Sequence, residues 1–428
     1  MENRTTTIVV RVLLVAALLA CTATAAFIAG IGVSRLAETG ETNILPTTVS
    51  PVPQPTAGDG GPVYPDPNPT PPPTSPDEEA FQLFWEVWDI VQQEYYGEVP
   101  DMQAVTYGAI RGMLETLDDE YTSFIEPEIA SILNEDASGS FEGIGAFVRM
   151  RDDGKLEIVS IIPNSPAEAS ELRDNDRVLA VDGQSIVGLG IYEAIAFIRG
   201  PAGTDVVLLI ERPGTEEHFE VTITRARVQI PLVEAEILEG NIAYVRLTEF
   251  SSTATAQLEE ALEGLMAQRP AGIILDLRNN PGGWLNEAVS VADLFLDDGI
   301  VLIERVSDGR EEIFESHDGD MLEDIPLVVL VNGGSASASE IVAGAIQDRG
   351  RAALIGEQTF GKGSVQRPHR LSDGSELRVT IARWFTPNDV AIHGQGLTPD
   401  IEVPLPEELE AGQDPQLERA IEYLLSGE

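Results

Sequence analysis

The stretch "AGIILDLRNNPGGWLNEAVSVADLFL", residues 271–296, changes its period halfway along. "AGIILDLR" is a short apolar run with no helical spacing and reads as a buried strand. "LNEAVSVADLFL" spaces its apolar residues three and four apart and reads as a helix. Between them, Pro281-Gly282-Gly283 punctuates a tight strand-to-helix turn. The same succession surrounds it. "NIAYVRLTEF" and "IPLVVLVN" read as strands, as does "AALIGE", with "TAQLEEALEGLMAQ" and "ASEIVAGAIQD" as intervening helices. Alternating strands and helices over residues 227–405 predict an α/β core with a largely parallel sheet. Residues 406–428 follow as a closing helix, "DPQLERAIEYLLSGE".

Upstream, residues 139–226 hold short alternating strands such as "DRVLAVDG" and "HFEVTITRA", with a small helix at "GLGIYEAIAFIRG". They predict a β-rich module. Residues 78–138 read as a helical region. Its first helix carries Phe81, Phe84, Trp85, Trp88 and Val91 on one stripe, a pattern that predicts packing rather than a ligand site. Residues 37–77 are rich in Pro, Thr and Gly, too poor in apolar groups for a core, and read as an extended spacer.

Residues 1–36 contain Val12–Val33, 22 residues without a charge, enough to cross a bilayer. Arg4 and Arg11 precede the run and Glu38 and Glu41 follow, which puts the N-terminus inside and the rest of the chain outside the cytoplasm. An uncleaved single-pass anchor is the preferred reading, because the apolar run continues past every cut. Cleavage after Ala23-Thr24-Ala25 with secretion, or lipid attachment at Cys21 of "LLAC", are the alternatives.

The chain of 428 residues carries a net charge of −46, which disfavours nucleic acid and anionic membrane surfaces as partners. A single cysteine permits no internal disulfide, and four histidines without ligand spacing argue against a metal site.

Three loops carry candidate chemistry, each at a strand end where an open sheet places its site. In "DLRNNPGGWL" the glycines free backbone N–H groups to face a ligand, or simply make a turn. In "VNGGSASASEIVAG" each of Ser335, Ser337 and Ser339 is a candidate nucleophile and equally a candidate helix cap, with Glu340 nearby. In "GEQTFGKGSVQ" stands Lys362, one of only two lysines in the chain, the other being Lys155. The loop nearly matches a phosphate-binding motif, but Gly363 occupies the place of the magnesium-holding hydroxyl. Lysine can act as a base for serine if burial lowers its pKa, whereas arginine does not readily lose its proton.

Taken in order, "GAIRGMLETLDDEYTSF", "FEGIGAFV", "IRGPAGT", "DLRNNPGG", "GSASASEIVAGAIQD", "GEQTFGKGSVQ" and "GQGLTPDI" resemble the carboxyl-terminal processing peptidases, PDZ-containing Ser-Lys serine proteases. The resemblance covers Phe81 to Val403 and implies a ClpP/crotonase-like protease core with an inserted PDZ domain. It implies Ser337 as nucleophile, Lys362, 25 positions later, as general base, and Gln366 as the residue that orients the lysine. It implies an oxyanion hole of the Ala338 and Gly283 N–H groups, with Glu340 and Asp348 as structural support. The PDZ carboxylate-binding loop would be Gly143, Ile144, Gly145 and Ala146. The implied partners are protein substrates with free apolar C-termini; the reaction needs no metal or cofactor, and homo-oligomers occur in the family. "SELRDND" and Asp389 depart from the family's glycine-containing patterns. The alternative function is a non-catalytic PDZ scaffold on a protease-like core.

Overall fold

The computed structural model describes residues 76–215, 217–319, 322–406 and 413–427. The expected membrane segment, Cys21 and nearly all of the spacer lie outside the described residues. Among the described residues no helix is long and apolar enough to cross a membrane.

The described chain divides near Ile110 into two units. The first holds α1 (Pro76–Glu94) and most of α2 (Met102–Glu115). On α1, Phe84 meets Trp85 edge-on with 5.1 Å between ring centroids. Phe81 and Trp85 nevertheless remain 59% and 49% exposed. Phe84, Trp88 and Val91 of the stripe are half-buried, so its apolar face is covered only in part.

The second unit begins with β1 (Ser123–Ile125) and α3 (Pro127–Ala137). Next come β2 (Ser140–Gly143), β3 (Ala146–Met150), β4 (Leu156–Ile161), β5 (Arg177–Val181) and β6 (Gln184–Ser185). After them follow α4 (Ile191–Ile198), β7 (Asp205–Glu211), β8 (Phe219–Thr224) and β9 (Ala226–Gln229). Strands β3, β4, β5, β7 and β8 pair in that order, with β6 against β5. Alternation along β7 buries Val206, Leu208 and Ile210 against Leu156, Ile158 and Ile198. The entering strand β2 and the leaving strand β9 pair antiparallel, from Ser140↔Gln229 to Gly143↔Ala226. Two of the departures from glycine, though not Glu171, fall on left-handed backbone: Asn175 of "SELRDND" at φ 69° and Asp389 at φ 61°. Asn and Asp tolerate that region, so the turns keep their form.

The remaining elements are β10 (Val233–Leu238), β11 (Ile242–Leu247), α5 (Ala254–Met266), β12 (Gly272–Asp276), α6 (Leu285–Asp293), β13 (Gly299–Val306) and β14 (Glu311–Ser316). They continue with β15 (Leu327–Val331), α7 (Ala338–Asp348), β16 (Ala353–Gly356), β17 (Ser364–Arg370), β18 (Glu376–Phe385), β19 (Ile401–Glu402) and α8 (Pro415–Ser426). The central sheet has the order β10-β11-β12-β15-β16-β19, parallel except for the β10–β11 pair. Strands β12 and β15 are buried at every position because both faces are covered. Ile273, Leu275 and Val329 join the core that includes Leu258, Val291 and Ile341. Ile274, Val328 and Leu330 face the other way, in a cluster with Leu417, Ile421 and Leu424 of α8.

A largely parallel sheet is only part of this core. A second sheet, order β1-β18-β13-β14 with β17 also on β18, is antiparallel throughout. The core is built on mixed sheets. Segments 299–316 and 364–385 double back as hairpins instead of crossing over through helices, and strand-helix alternation does not reveal them.

Candidate active site

The serine loop leaves β15 and ends at Ser337, the N-cap of α7, whose backbone is held at φ 57°, ψ −116°. That is a sparsely populated conformation for a residue with a side chain. Its two neighbours in the motif are fasteners. Ser335 Oγ donates to the Leu277 carbonyl at 2.7 Å and Ser339 Oγ to the Asn280 carbonyl at 2.8 Å, tying this loop to residues 276–285. Of the three candidate serines, these two spend their hydroxyl protons on backbone.

The glycine loop is pressed onto that turn. Gly282 adopts φ +101°, and a Cβ there would lie 2.7 Å from Ser337 Cβ and equally close to the Ala338 nitrogen. Phe250 holds the loop from behind: its N–H donates to the Gly282 carbonyl and its carbonyl accepts from Trp284 N–H, both at 2.8 Å. Gly283 therefore sits between two fixed peptides. Ala338 is the first residue of α7, where an N–H has no intrahelical acceptor and the helix dipole favours negative charge.

Lys362 is only 1% exposed. Its flanking glycines are required by the turn at 392–396. A Cβ on Gly363 would lie 2.3 Å from the His393 nitrogen, and one on Gly361 would lie 2.8 Å from the Gly396 nitrogen. Burial lowers the lysine pKa to about 7, with Arg378 assisting and Glu340 opposing. The ammonium lies 5.5 Å from the centroid of the Tyr121 ring.

Glu340 joins the two loops. Its fully buried carboxylate accepts the Ser337 N–H at 2.9 Å and the Lys362 N–H at 2.9 Å. It also accepts the Gly361 N–H and the Thr359 hydroxyl, each at 2.6 Å. Burial raises its pKa and these four hydrogen bonds oppose the rise. Asp348, at the other end of α7, accepts the Asn388 N–H at 2.8 Å.

Gln366 is buried on β17, its amide nitrogen donating to Ser364 Oγ at 2.9 Å and Thr380 Oγ1 at 3.1 Å. Both amide protons are thereby used, so only its carbonyl oxygen is left to receive a proton from lysine.

In the inserted module, the Ile144 carbonyl accepts the Ala167 N–H at 2.7 Å, and the Gly145 carbonyl accepts Ile162 N–H and Ser165 Oγ, both at 3.0 Å. In a trans peptide the following N–H groups, those of Gly145 and Ala146, point the opposite way. They border an apolar groove of about 210 Å³ between β3 and α4, lined by Ile144, Ala146, Val148, Ile195 and Ile198. Gly143 pairs with Ala226 at the module's entrance.

Two residues with no distinguishing sequence signal also belong to these sites. Glu249 lines the groove, and burial with nearby Asp136 pushes its pKa up to about 8. Tyr121 covers the lysine, although only its place in "DDEYTSF" marks it in the sequence. Among the described residues no group of three or more His, Cys, Asp or Glu could hold a metal ion.

Residues 241–403 match Peptidase family S41, residues 157–212 a PDZ domain, and residues 70–129 the activating protease CtpB N-terminal domain. A carboxy-terminal processing protease, CtpA, from Bacillus subtilis is 37% identical over 77% of this chain and 70% of its own length. A carboxyl-terminal-processing protease from Synechocystis is 38% identical over 79% of this chain and 82% of its own. The solved structure of a putative S41 protease from Bacteroides fragilis covers 79% of this chain and 96% of its own with a TM-score of 0.50. At 18% identity it speaks for the fold alone. The chain belongs to the carboxy-terminal processing proteases of peptidase family S41, serine peptidases that carry a PDZ domain.

Proposed function

We propose that this protease is a membrane-anchored, extracytoplasmic endopeptidase that cleaves proteins near their C-termini by a Ser-Lys mechanism. Ser337 attacks the peptide carbonyl as Lys362 takes its proton, and the lysine then passes the proton to the leaving amine. Ala338 and Gly283 N–H groups receive the oxyanion, and water hydrolyses the acyl-enzyme with Lys362 again as base. Gln366 orients the lysine through its carbonyl oxygen. The Gly143–Ala146 loop receives the substrate's terminal carboxylate while its apolar side chain enters the groove, a strand-addition mode of binding. Val12–Val33 anchors the chain, with the catalytic part outside the cytoplasm. The parallel pairing of β11, β12, β15 and β16 supports a ClpP/crotonase-like core.

One observation carries this reading: a single carboxylate, Glu340, holds the main chain of Ser337 and of a lysine whose pKa is near 7. The test compares the full chain with Ser337→Ala and Lys362→Ala on an unfolded protein bearing an apolar C-terminal tail. Each substitution should reduce cleavage by at least about a thousandfold. Cleavage at the parental rate by either variant removes that residue from the mechanism. A wild-type chain that binds tails without cutting them supports the scaffold alternative.

A further inference from the structure

We propose that Tyr121 is a positioning residue for catalysis, a shutter whose ring keeps water from the Lys362 amine. The inference rests on the Ser-Lys reading and adds to it the group that maintains the base in working form.

The ring lies where a shutter must. Its centroid is 5.5 Å from Lys362 Nζ, and the lysine is buried while the tyrosine is partly exposed. On its outer side Tyr121 meets His393 in a T-shaped contact at 5.8 Å, and His393 belongs to the same turn against which Gly361 and Gly363 are pressed. The backbone that carries the ring is held by Asp119. Asp119 accepts the Tyr121 N–H at 3.3 Å and the Thr122 hydroxyl at 2.6 Å. Thr122 Oγ1 then accepts the Thr380 N–H at 3.1 Å, on the strand whose Thr380 hydroxyl receives the Gln366 amide. Thr122, the neighbour of Tyr121, and Gln366 are thus fastened to one residue, Thr380 of β18.

Two opposite effects of the ring can be separated by magnitude. Its face attracts an ammonium, which would raise the lysine pKa by about 1.5 units for a desolvated cation–π contact of about 2 kcal/mol. Its bulk excludes water, and full desolvation lowers a lysine by up to about 3–5 units. Desolvation dominates. Removing the ring should therefore raise the pKa, whereas a cation–π role alone would lower it. The fixed charges facing the pair are Arg378 and Glu340 toward Lys362. Asp119, Glu120 and Arg383 face Tyr121 and His393. None is altered by substituting the ring. The Tyr121 hydroxyl, pushed up to about 12, stays neutral throughout the working range.

The composition supplies the experiment. With only Lys155 and Lys362 in the chain, ε-13C-lysine labelling of full-length Lys155→Arg protein leaves one lysine signal, whose pH titration reads Lys362 directly. Tyr121→Ala should move that titration upward by at least about one unit and shift the acid limb of kcat/KM by the same amount. Activity at pH 7 then falls about fivefold for the first unit and about tenfold for each further one. Tyr121→Phe, which keeps the ring, should leave both unchanged and shows that the site still assembles. An unmoved or lowered Lys362 titration in a folded Tyr121→Ala protein overturns the proposal. Because the signal does not depend on turnover, that result is distinct from failure of the Ser-Lys mechanism, which Lys362→Ala activity would reveal.

Discussion

The main-chain N–H of Lys362 donates to Glu340 Oε2 at 2.9 Å, so the lysine loop is registered against the helix that begins at the serine. The same oxygen holds the Ser337 N–H. Every donor around this carboxylate is an N–H or O–H, and an amide could accept with only one of its two atoms. Glu340→Gln should lower kcat by about 10–100-fold and destabilise the fold by about 1–3 kcal/mol. Single-turnover kinetics and denaturant unfolding measure the two effects separately.

Lys362 gives the enzyme a pH signature in both rate and stability. As the proposed base it must be neutral, so kcat/KM should rise with pH through about 7 and lose tenfold per unit below it. Between that value and the ordinary 10.5, the unfolded chain holds a proton that the folded chain lacks, so this group's contribution to stability improves as pH rises. Lys362→Met should melt above wild type at pH 7, with the advantage shrinking toward pH 10. Calorimetric scans at several pH values check the trend, and a constant difference would refute it.

Ser337 at φ 57° bears strain that glycine does not. Both Ser337→Ala and Ser337→Gly should be inactive, but the glycine variant should be the more stable by about 1 kcal/mol. Gly282→Ala should do the reverse, forcing a methyl against Ser337 and Ala338 and reducing activity and stability together. Melting temperatures of the three variants rank them.

Glu249 should produce a slope of opposite sign. Its folded-state pKa of about 8 exceeds the usual 4.5, so the contribution present below pH 4.5 is lost as pH rises through 8. Glu249→Gln should flatten that loss, making the variant more stable than wild type at pH 9. Equal stabilities at pH 9 would mean the carboxyl finds a partner on ionising.

The central sheet was readable because β12 and β15 are buried on both faces, leaving uninterrupted apolar runs at 272–276 and 327–331. The hairpin sheet was not, because β14 is exposed along most of its length at a sheet edge and β13 pairs with the distant β18. For the site, the order of glycine, serine and lysine loops was visible in the sequence. Ser335 and Ser339 could be set apart from Ser337 only by the carbonyls they meet, and those belong to another loop. Glu340 was visible as a helix-start residue, but its hold on Lys362 spans 22 positions and needs the fold. Tyr121 and Glu249 matter through what surrounds them, which no local pattern encodes.

The β2–β9 ribbon sets the terms on which the PDZ domain is carried. The strands enter and leave side by side, from Ser140↔Gln229 to Gly143↔Ala226, and the domain's apolar cluster shares no residue with the protease core's. The core meets the insertion at this ribbon and at a few contacts beside it, Ile162 in the core cluster and Arg199 paired with Asp136. Loop-closure entropy grows only slowly with the length between those ends. A change in the length of the insertion therefore leaves the distance the core must span unaltered, while a change at Ile162 or Arg199 is felt by the core directly.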